Sequence, residues 1–212
     1  MRKVCVITAN RADYSRLKTV CRAIQKRKAE LDLQLVVMGS HLLEKYDYTH
    51  KMIEKDGFPI SHKIYMELDG RNPVTMTKSV GYGIVELTTA LEQLKPDIAV
   101  VPVDRFESLS MASTAALMNV PIAHIQGGEV TGTIDESIRH AITKLSHLHF
   151  AASNQSRERI IKMGEPDHLV FNVGCPGTDL LLETPVMSKA DVLEKVNQIA
   201  KDPLRRLDPN AP

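Results

Sequence analysis

The sequence has no tryptophan, and aromatic residues make up only 4% of its 212 positions. A stacking platform for nucleobases has little to be built from. Charge of one sign is not in excess: 27 Lys and Arg against 26 Asp and Glu leave a net +1. That balance gives no electrostatic ground for binding nucleic acid or a membrane surface. The three cysteines, Cys5, Cys21 and Cys175, are odd in number and form no CxxC pair. A disulfide framework and a structural zinc site are disfavoured, and a reducing, cytoplasmic setting is expected. Long hydrophobic runs are also missing. The opening MRKVCVIT is cut off by Asn10, Arg11 and Asp13, too soon for a signal peptide or a membrane span. GxGxxG after the first strand, GxxxxGKS/T and HExxH do not occur. The common dinucleotide, phosphate-loop and zinc-protease readings go with them, and neither metal nor cofactor is expected.

What is present is alternation. Short apolar runs at Lys3–Thr8, Leu31–Met38, Asp97–Val101, Val120–Ile125, His149–Ala152 and Leu169–Val173 read as strands, and the more polar Ile60–Tyr65 is a candidate for one more. Between them lie segments with helical spacing, such as Leu17, Val20, Cys21 and Ile24, or Met76, Val80, Ile84, Leu87 and Leu91. Helices are expected over Ser15–Lys28, Asp47–Lys55, Pro73–Leu94, Phe106–Met118, Asp135–Leu145 and Gln155–Met163. Strands alternating with helices predict a three-layer, Rossmann-like α/β domain with a mostly parallel sheet of about seven strands. Leu180–Glu183 closes a short helix and Ser188–Lys201 is amphipathic. The three prolines of DPLRRLDPNAP then break the pattern. This divides the chain into a domain over 1–183 and a linker or terminal helix over 184–212.

Open α/β sheets place chemistry at the carboxyl ends of their strands. The stretch HIQGGEVTGTIDESIRH, His124 to His140, follows such an end with two glycines and a helix start carrying acids. Asp135 and Arg139, and Glu136 and His140, are spaced to pair along a helix surface. In a crevice, the same carboxylates would crowd one another and serve acid–base work. His124, after an apolar strand, reads as a core histidine. The first strand ends in Asn10-Arg11-Ala12-Asp13, the fourth in Asp104-Arg105. Each arginine is either solvated or a phosphate ligand, and each aspartate either a helix cap or a site residue. Two such strand ends together favour a phosphorylated ligand.

NRADYS, GSHL, VDRFE, HIQGGEVTGTIDESIRHAITKLSHLHF and GCPGTD, in that order from about Lys3 to Asp179, together resemble the UDP-N-acetylglucosamine 2-epimerases, and most of all their hydrolysing kind. The resemblance implies two Rossmann-like domains facing one another as in one class of glycosyltransferases, with this chain similar to the N-terminal half. It implies a homo-oligomer when complete, with UDP-N-acetylglucosamine and UDP as ligands. The implied reaction expels UDP from C1 as a base takes the C2 proton. Water then adds to the 2-acetamidoglucal to give N-acetylmannosamine. Carried across by motif, the acids fall on Asp104, Asp135 and Glu136, with Glu129 as a further carboxylate. The UDP contacts fall on Arg11, Ser15 and Arg105. Gln126 stands where the family often has a catalytic glutamate; an amide can hold a sugar group but cannot act as a base. An enzyme needing a second half, a non-catalytic sugar-nucleotide module and a non-hydrolysing epimerase all remain open on these residues.

Overall fold

Arg2–Thr8 forms β1, buried from Val4 onward, and Asn10 then starts the first helix, α1 (Arg11–Lys26). Asn10 is the cap: its backbone is extended and its side chain accepts from the Asp13 N–H at 2.9 Å. The helix therefore begins four residues before the expected Ser15, and Asp13 sits inside it rather than capping it. In the computed structural model, which describes residues 1–70 and 72–199, the alternation continues to the end of the sheet. The next elements are β2 (Leu31–Met38), two short 3₁₀ turns, α2 (His50–Lys55), β3 (His62–Ile64) and α3 (Pro73–Leu94). They are followed by β4 (Ile98–Pro102), α4 (Phe106–Leu117), β5 (Ile122–Ile125), α5 (Ile134–Leu145), β6 (Leu148–Ala151), α6 (Asn154–Lys162) and β7 (Val170–Asn172). The 3₁₀ turns, Gly39–Leu42 and Glu44–Tyr46, precede the expected Asp47–Lys55 helix, which starts three residues late at His50. The third strand is three residues long, shorter than its candidate run suggests.

All seven strands pair in parallel, in the order β3-β2-β1-β4-β5-β6-β7. Winding runs outward from β1 on one side and from β4 on the other, which makes the β1–β4 junction the switch point. Alternate strand residues feed two cores. Cys5, Ile7, Val36, Met38, Ala99, Val101 and Ile122 meet Leu87 and Leu91 of α3, Met111 and Ala115 of α4, and Ile142 of α5. Val4, Val6, Leu35, Val37, Val100 and Ala123 meet Tyr14, Leu17 and Cys21 of α1 and Ile53 of α2. Long apolar strands buried on both faces are what a parallel sheet between helical layers requires. No helix among the described residues is long and apolar enough to cross a membrane.

The chain resolves into two compact units, 1–180 and 181–212. The helix α7 (Pro176–Glu183) runs across that boundary, and α8 (Lys189–Ile199) belongs to the second unit. Ser188 caps α8 by accepting from the Asp191 N–H at 3.1 Å. Residues 200–212, with the DPLRRLDPNAP stretch, lie outside the described residues.

Candidate active site

The site is built where β1, β4 and β5 end side by side. Two non-glycine residues at these ends have left-handed backbone: Val103, at φ +37°, and Gln126, at φ +60°. For a β-branched valine this is an outlier, and such strain is of order 1–3 kcal/mol per residue. Hydrogen bonds hold both turns. The Val103 N–H donates to the Ile125 carbonyl at 3.0 Å, and the Gln126 N–H donates to the Phe150 carbonyl at 2.8 Å. His124 Nε2 donates to the Val103 carbonyl at 2.8 Å. Burial pushes the His124 pKa down to about 4, so it is the neutral core histidine that its sequence context implies.

Beyond Gln126 the chain must pass close to its neighbours. A Cβ on Gly127 would lie 2.9 Å from His124 Nδ1. At Gly128, φ is +79° and a Cβ would lie 2.3 Å from the Ser156 carbonyl oxygen. Only glycine fits both the backbone angle and the space there. Gly128→Ala is expected to lower unfolding free energy by about 2–4 kcal/mol, the sum of backbone strain and overpacking. Urea denaturation measures it; a midpoint unchanged from the parent would show that the loop shifts freely.

Three charged side chains then pin the loop. Arg139, 1% exposed, donates to the Glu129 carbonyl at 2.6 Å and pairs with the Asp104 carboxylate. Arg159 donates to the Gly128 carbonyl. The Glu136 carboxylate accepts from the Thr131 and Gly132 N–H groups, at 2.7 Å each, and those two bonds hold its pKa below the usual range. Arg139 thus points inward to Asp104 and does not make the surface pair with Asp135. The spacing allowed both partners; burial decided, because an unpaired Asp104 carboxylate at this depth would be costly. Nor does Asp104 cap α4, whose cap residue is Arg105 with no side-chain bond. The Glu136–His140 pair does form, at 4.0 Å. Gln126, 5% exposed, donates from Nε2 to Cys175 Sγ at 3.2 Å, while its Oε1 is buried without a partner.

At the switch point itself lies a second group of charges. Arg105 forks onto Glu107, with bonds of 3.1 and 3.2 Å, and Glu107 is fully buried. The charges of Asp13 and Asp135 also act on Arg105. Asp135 is half-buried, and among the described residues its carboxylate has no hydrogen-bond partner. Asp13 is 2% exposed; burial first, and Glu107 next, push its pKa up to about 7. Glu67 is raised by the same two causes. Arg11, Arg105, Asn10, Ser40, Lys45 and Glu67 help line a cleft of about 660 Å³. An adjoining cavity of about 390 Å³ shares Lys45, Tyr46, Glu67 and Arg105.

Of the residues singled out in the sequence, Arg11 and Arg105 therefore line the cleft, and Asp104, Glu129 and Arg139 are joined by bonds. Ser15 does not line it; its hydroxyl donates back to the Ala12 carbonyl at 2.7 Å. Gln126, Glu129, Asp135 and Glu136 lie on the β5–α5 segment and line neither cavity. Sequence reasoning missed Glu107, Glu67 and the inward turn of Arg139, and left Asp13 open between a helix cap and a site residue. The signal was there for two of them. Glu107 falls three, four and seven residues before Ser110, Met111 and Thr114, on the core side of its helix. Arg139 shares the buried side of α5 with Ile138, Ile142 and Thr143.

The model of the family described as UDP-N-acetylglucosamine 2-epimerase matches residues 22–206. The chain belongs to that family. A GDP/UDP-N,N'-diacetylbacillosamine 2-epimerase (hydrolyzing) of Campylobacter jejuni is 39% identical over 95% of this chain and 52% of its own length. A UDP-N,N'-diacetylbacillosamine 2-epimerase (hydrolyzing) of Legionella pneumophila is 37% identical over 86% of this chain and 48% of its own. The solved structure of the Neisseria meningitidis UDP-GlcNAc 2-epimerase superposes with a TM-score of 0.76, at 18% identity, over 92% of this chain and 51% of that one. This epimerase-family chain thus spans about half the length of the relatives it matches.

Proposed function

We propose that the chain is the half of a hydrolysing UDP-2-acetamidohexose 2-epimerase that carries the acid–base residues, with UDP-N-acetylglucosamine as substrate. The observation that carries this reading is the end of β4, where Arg105 lines the cleft with Arg11 and the neighbouring Asp104 is held by Arg139. Elimination across C1 and C2 needs a proton acceptor beside C2 and a cation beside the departing diphosphate, on adjacent carbons. Carboxylates at the same strand ends as cleft-lining guanidinium groups meet that need. Asp135 takes the C2 proton as the C1–O bond to UDP breaks, and Arg105 with Arg11 offsets the charge on the diphosphate. The 2-acetamidoglucal then gains a proton at C2 on its other face and water at C1. Asp104, oriented by Arg139, handles a proton in that hydration. Gln126 and Glu129 hold the sugar, and Glu136 anchors the loop through its two N–H bonds. Ser15 belongs to the UDP-binding helix start.

The second half, supplied in the relatives by the rest of their length, completes the uridine and diphosphate contacts, and the complete protein is a homo-oligomer. The isolated chain is therefore expected to bind UDP weakly and to release none from UDP-N-acetylglucosamine. Binding energy missing from one half lowers turnover as well as affinity. Coupled detection of UDP tests this, and robust release by the purified chain would end the two-half reading.

The names of the 39% and 37% identical relatives favour a second substrate, UDP-N,N'-diacetylbacillosamine. It presents the same C1 leaving group and C2 acetamido group, so the roles above carry over. Competition between the two nucleotide sugars for the cleft decides which is preferred.

A further inference from the structure

The mechanism above leaves two buried acids at the switch point without a task. Glu107, on the first turn of α4, is fully buried and holds Arg105 by two bonds. Asp13, on the first turn of α1, is nearly as buried and is gripped by Asn10, whose Nδ2 donates to its Oδ2 at 2.7 Å. The two helices start from the ends of the adjacent strands β1 and β4, and the charge of Glu107 acts on Asp13. Arg105 lines the cleft together with Asn10, the residue that grips Asp13, and its side chain is about half exposed at 48%. One guanidinium thus neutralises an inner layer of acid while presenting its outer side to any ligand anion.

We infer that Asp13 is a positioning residue: its charge sets how firmly Arg105 is held inward on Glu107, so that a diphosphate binds with uptake of a proton at Asp13. The inference rests on the proposed nucleotide-sugar cleft. With both acids ionised, two negative charges draw Arg105 inward and repel an incoming diphosphate. With Asp13 neutral, one charge is gone, and Arg105 can share itself between Glu107 and the ligand. The proton goes to an Asp13 oxygen, and Asn10 keeps the carboxyl group in place. A ligand that favours the protonated form must, by linkage, raise proton occupancy when it binds.

The other groups around Asp13 do not supply this response. Arg105 and Arg16 act on Asp13 as cations, and arginine as a residue type does not lose its proton in this range. His41, after β2, is buried and its pKa lowered to about 4, so it is neutral above pH 6. Glu67, from the segment after β3, senses Glu107 and Lys45 and is the one acid that could compete. Asp135 acts on Arg105 from α5.

The test is titration of the chain with UDP-glucose between pH 6 and 8, followed by NMR, for the parent, Asp13→Asn and Glu67→Gln. Both phosphates of this probe are esterified, so the ligand itself does not titrate there. One linked proton predicts a Kd that rises about tenfold from pH 6 to pH 8 in the parent and in Glu67→Gln, and stays flat in Asp13→Asn. Calorimetry in buffers of different ionisation enthalpy should show proton uptake near pH 7 that Asp13→Asn abolishes. Equal pH profiles for the parent and Asp13→Asn overturn the inference and leave the cleft standing; a profile flattened by Glu67→Gln overturns it too. Absence of binding at every pH overturns the cleft reading and this one with it. Should Asp13→Asn not fold, Glu107→Gln serves: with its inner counter-charge removed, Arg105 should bind the probe more tightly at pH 8 than in the parent. Weaker or unchanged binding there overturns the inference.

Discussion

Replacing Arg139 with methionine is expected to destabilise the chain by about 3–5 kcal/mol. The side chain is buried and has two partners, the Asp104 carboxylate and the Glu129 carbonyl. Methionine can fill much of the space but offers no hydrogen bond. The Asp104 carboxylate would be left without its counter-charge at 16% side-chain exposure. Removing one partner of a buried pair is far more costly than removing both. The double variant Arg139→Met with Asp104→Leu should therefore recover a large part of the loss. Urea unfolding of the parent, the single and the double variant checks this. A single variant within about 1 kcal/mol of the parent would mean that the pair opens to water, and that Asp104 needs no buried partner.

That pair also marks the limit of what could be read from the sequence. The layered fold was legible because most strand runs were apolar and the longer helices had a periodic face. Parallel order then followed from alternation. Helix starts were less legible. Asn10 and Asp13 are both good capping residues, and only the backbone shows that Asn10 caps while Asp13 turns inward. Arg139 had two partners at workable distance in sequence, Asp135 four residues away on its own helix and Asp104 thirty-five residues away. Local spacing favours the first; the depth of α5 against the sheet selects the second. Gln126 was legible as a departure from the family's motif. Its left-handed backbone and unpartnered Oε1 were not, since both depend on where β6 and Cys175 lie.

In a protein joining this chain to the second half of the 39% identical Campylobacter jejuni relative, Asp104→Asn and Asp135→Asn should each lower kcat by about 10²–10⁴-fold. Gln126→Glu should keep or raise it. An asparagine keeps the size of aspartate and an acceptor oxygen, so it removes the proton-transfer role with little else. At Asp104 the change also weakens the pair with Arg139, so rates must be compared well below the melting temperature of each variant. For Asp135, whose carboxylate bonds to none of the described residues, that complication is absent, and its loss of rate reports the chemistry alone. Gln126 is 5% exposed, and a glutamate there would meet burial without a cation bonded to it, which raises a carboxyl pKa. A raised carboxyl group can both take and give a proton near neutral pH, so Glu would add an acid–base group where the amide offers only hydrogen bonds. Near-parental rates for both aspartate variants, with turnover abolished by Gln126→Glu, would reverse this division of roles. Proton transfer would then move to Glu129 or Glu136 or to the second half, and the amide of Gln126 would be the group that the sugar cannot do without.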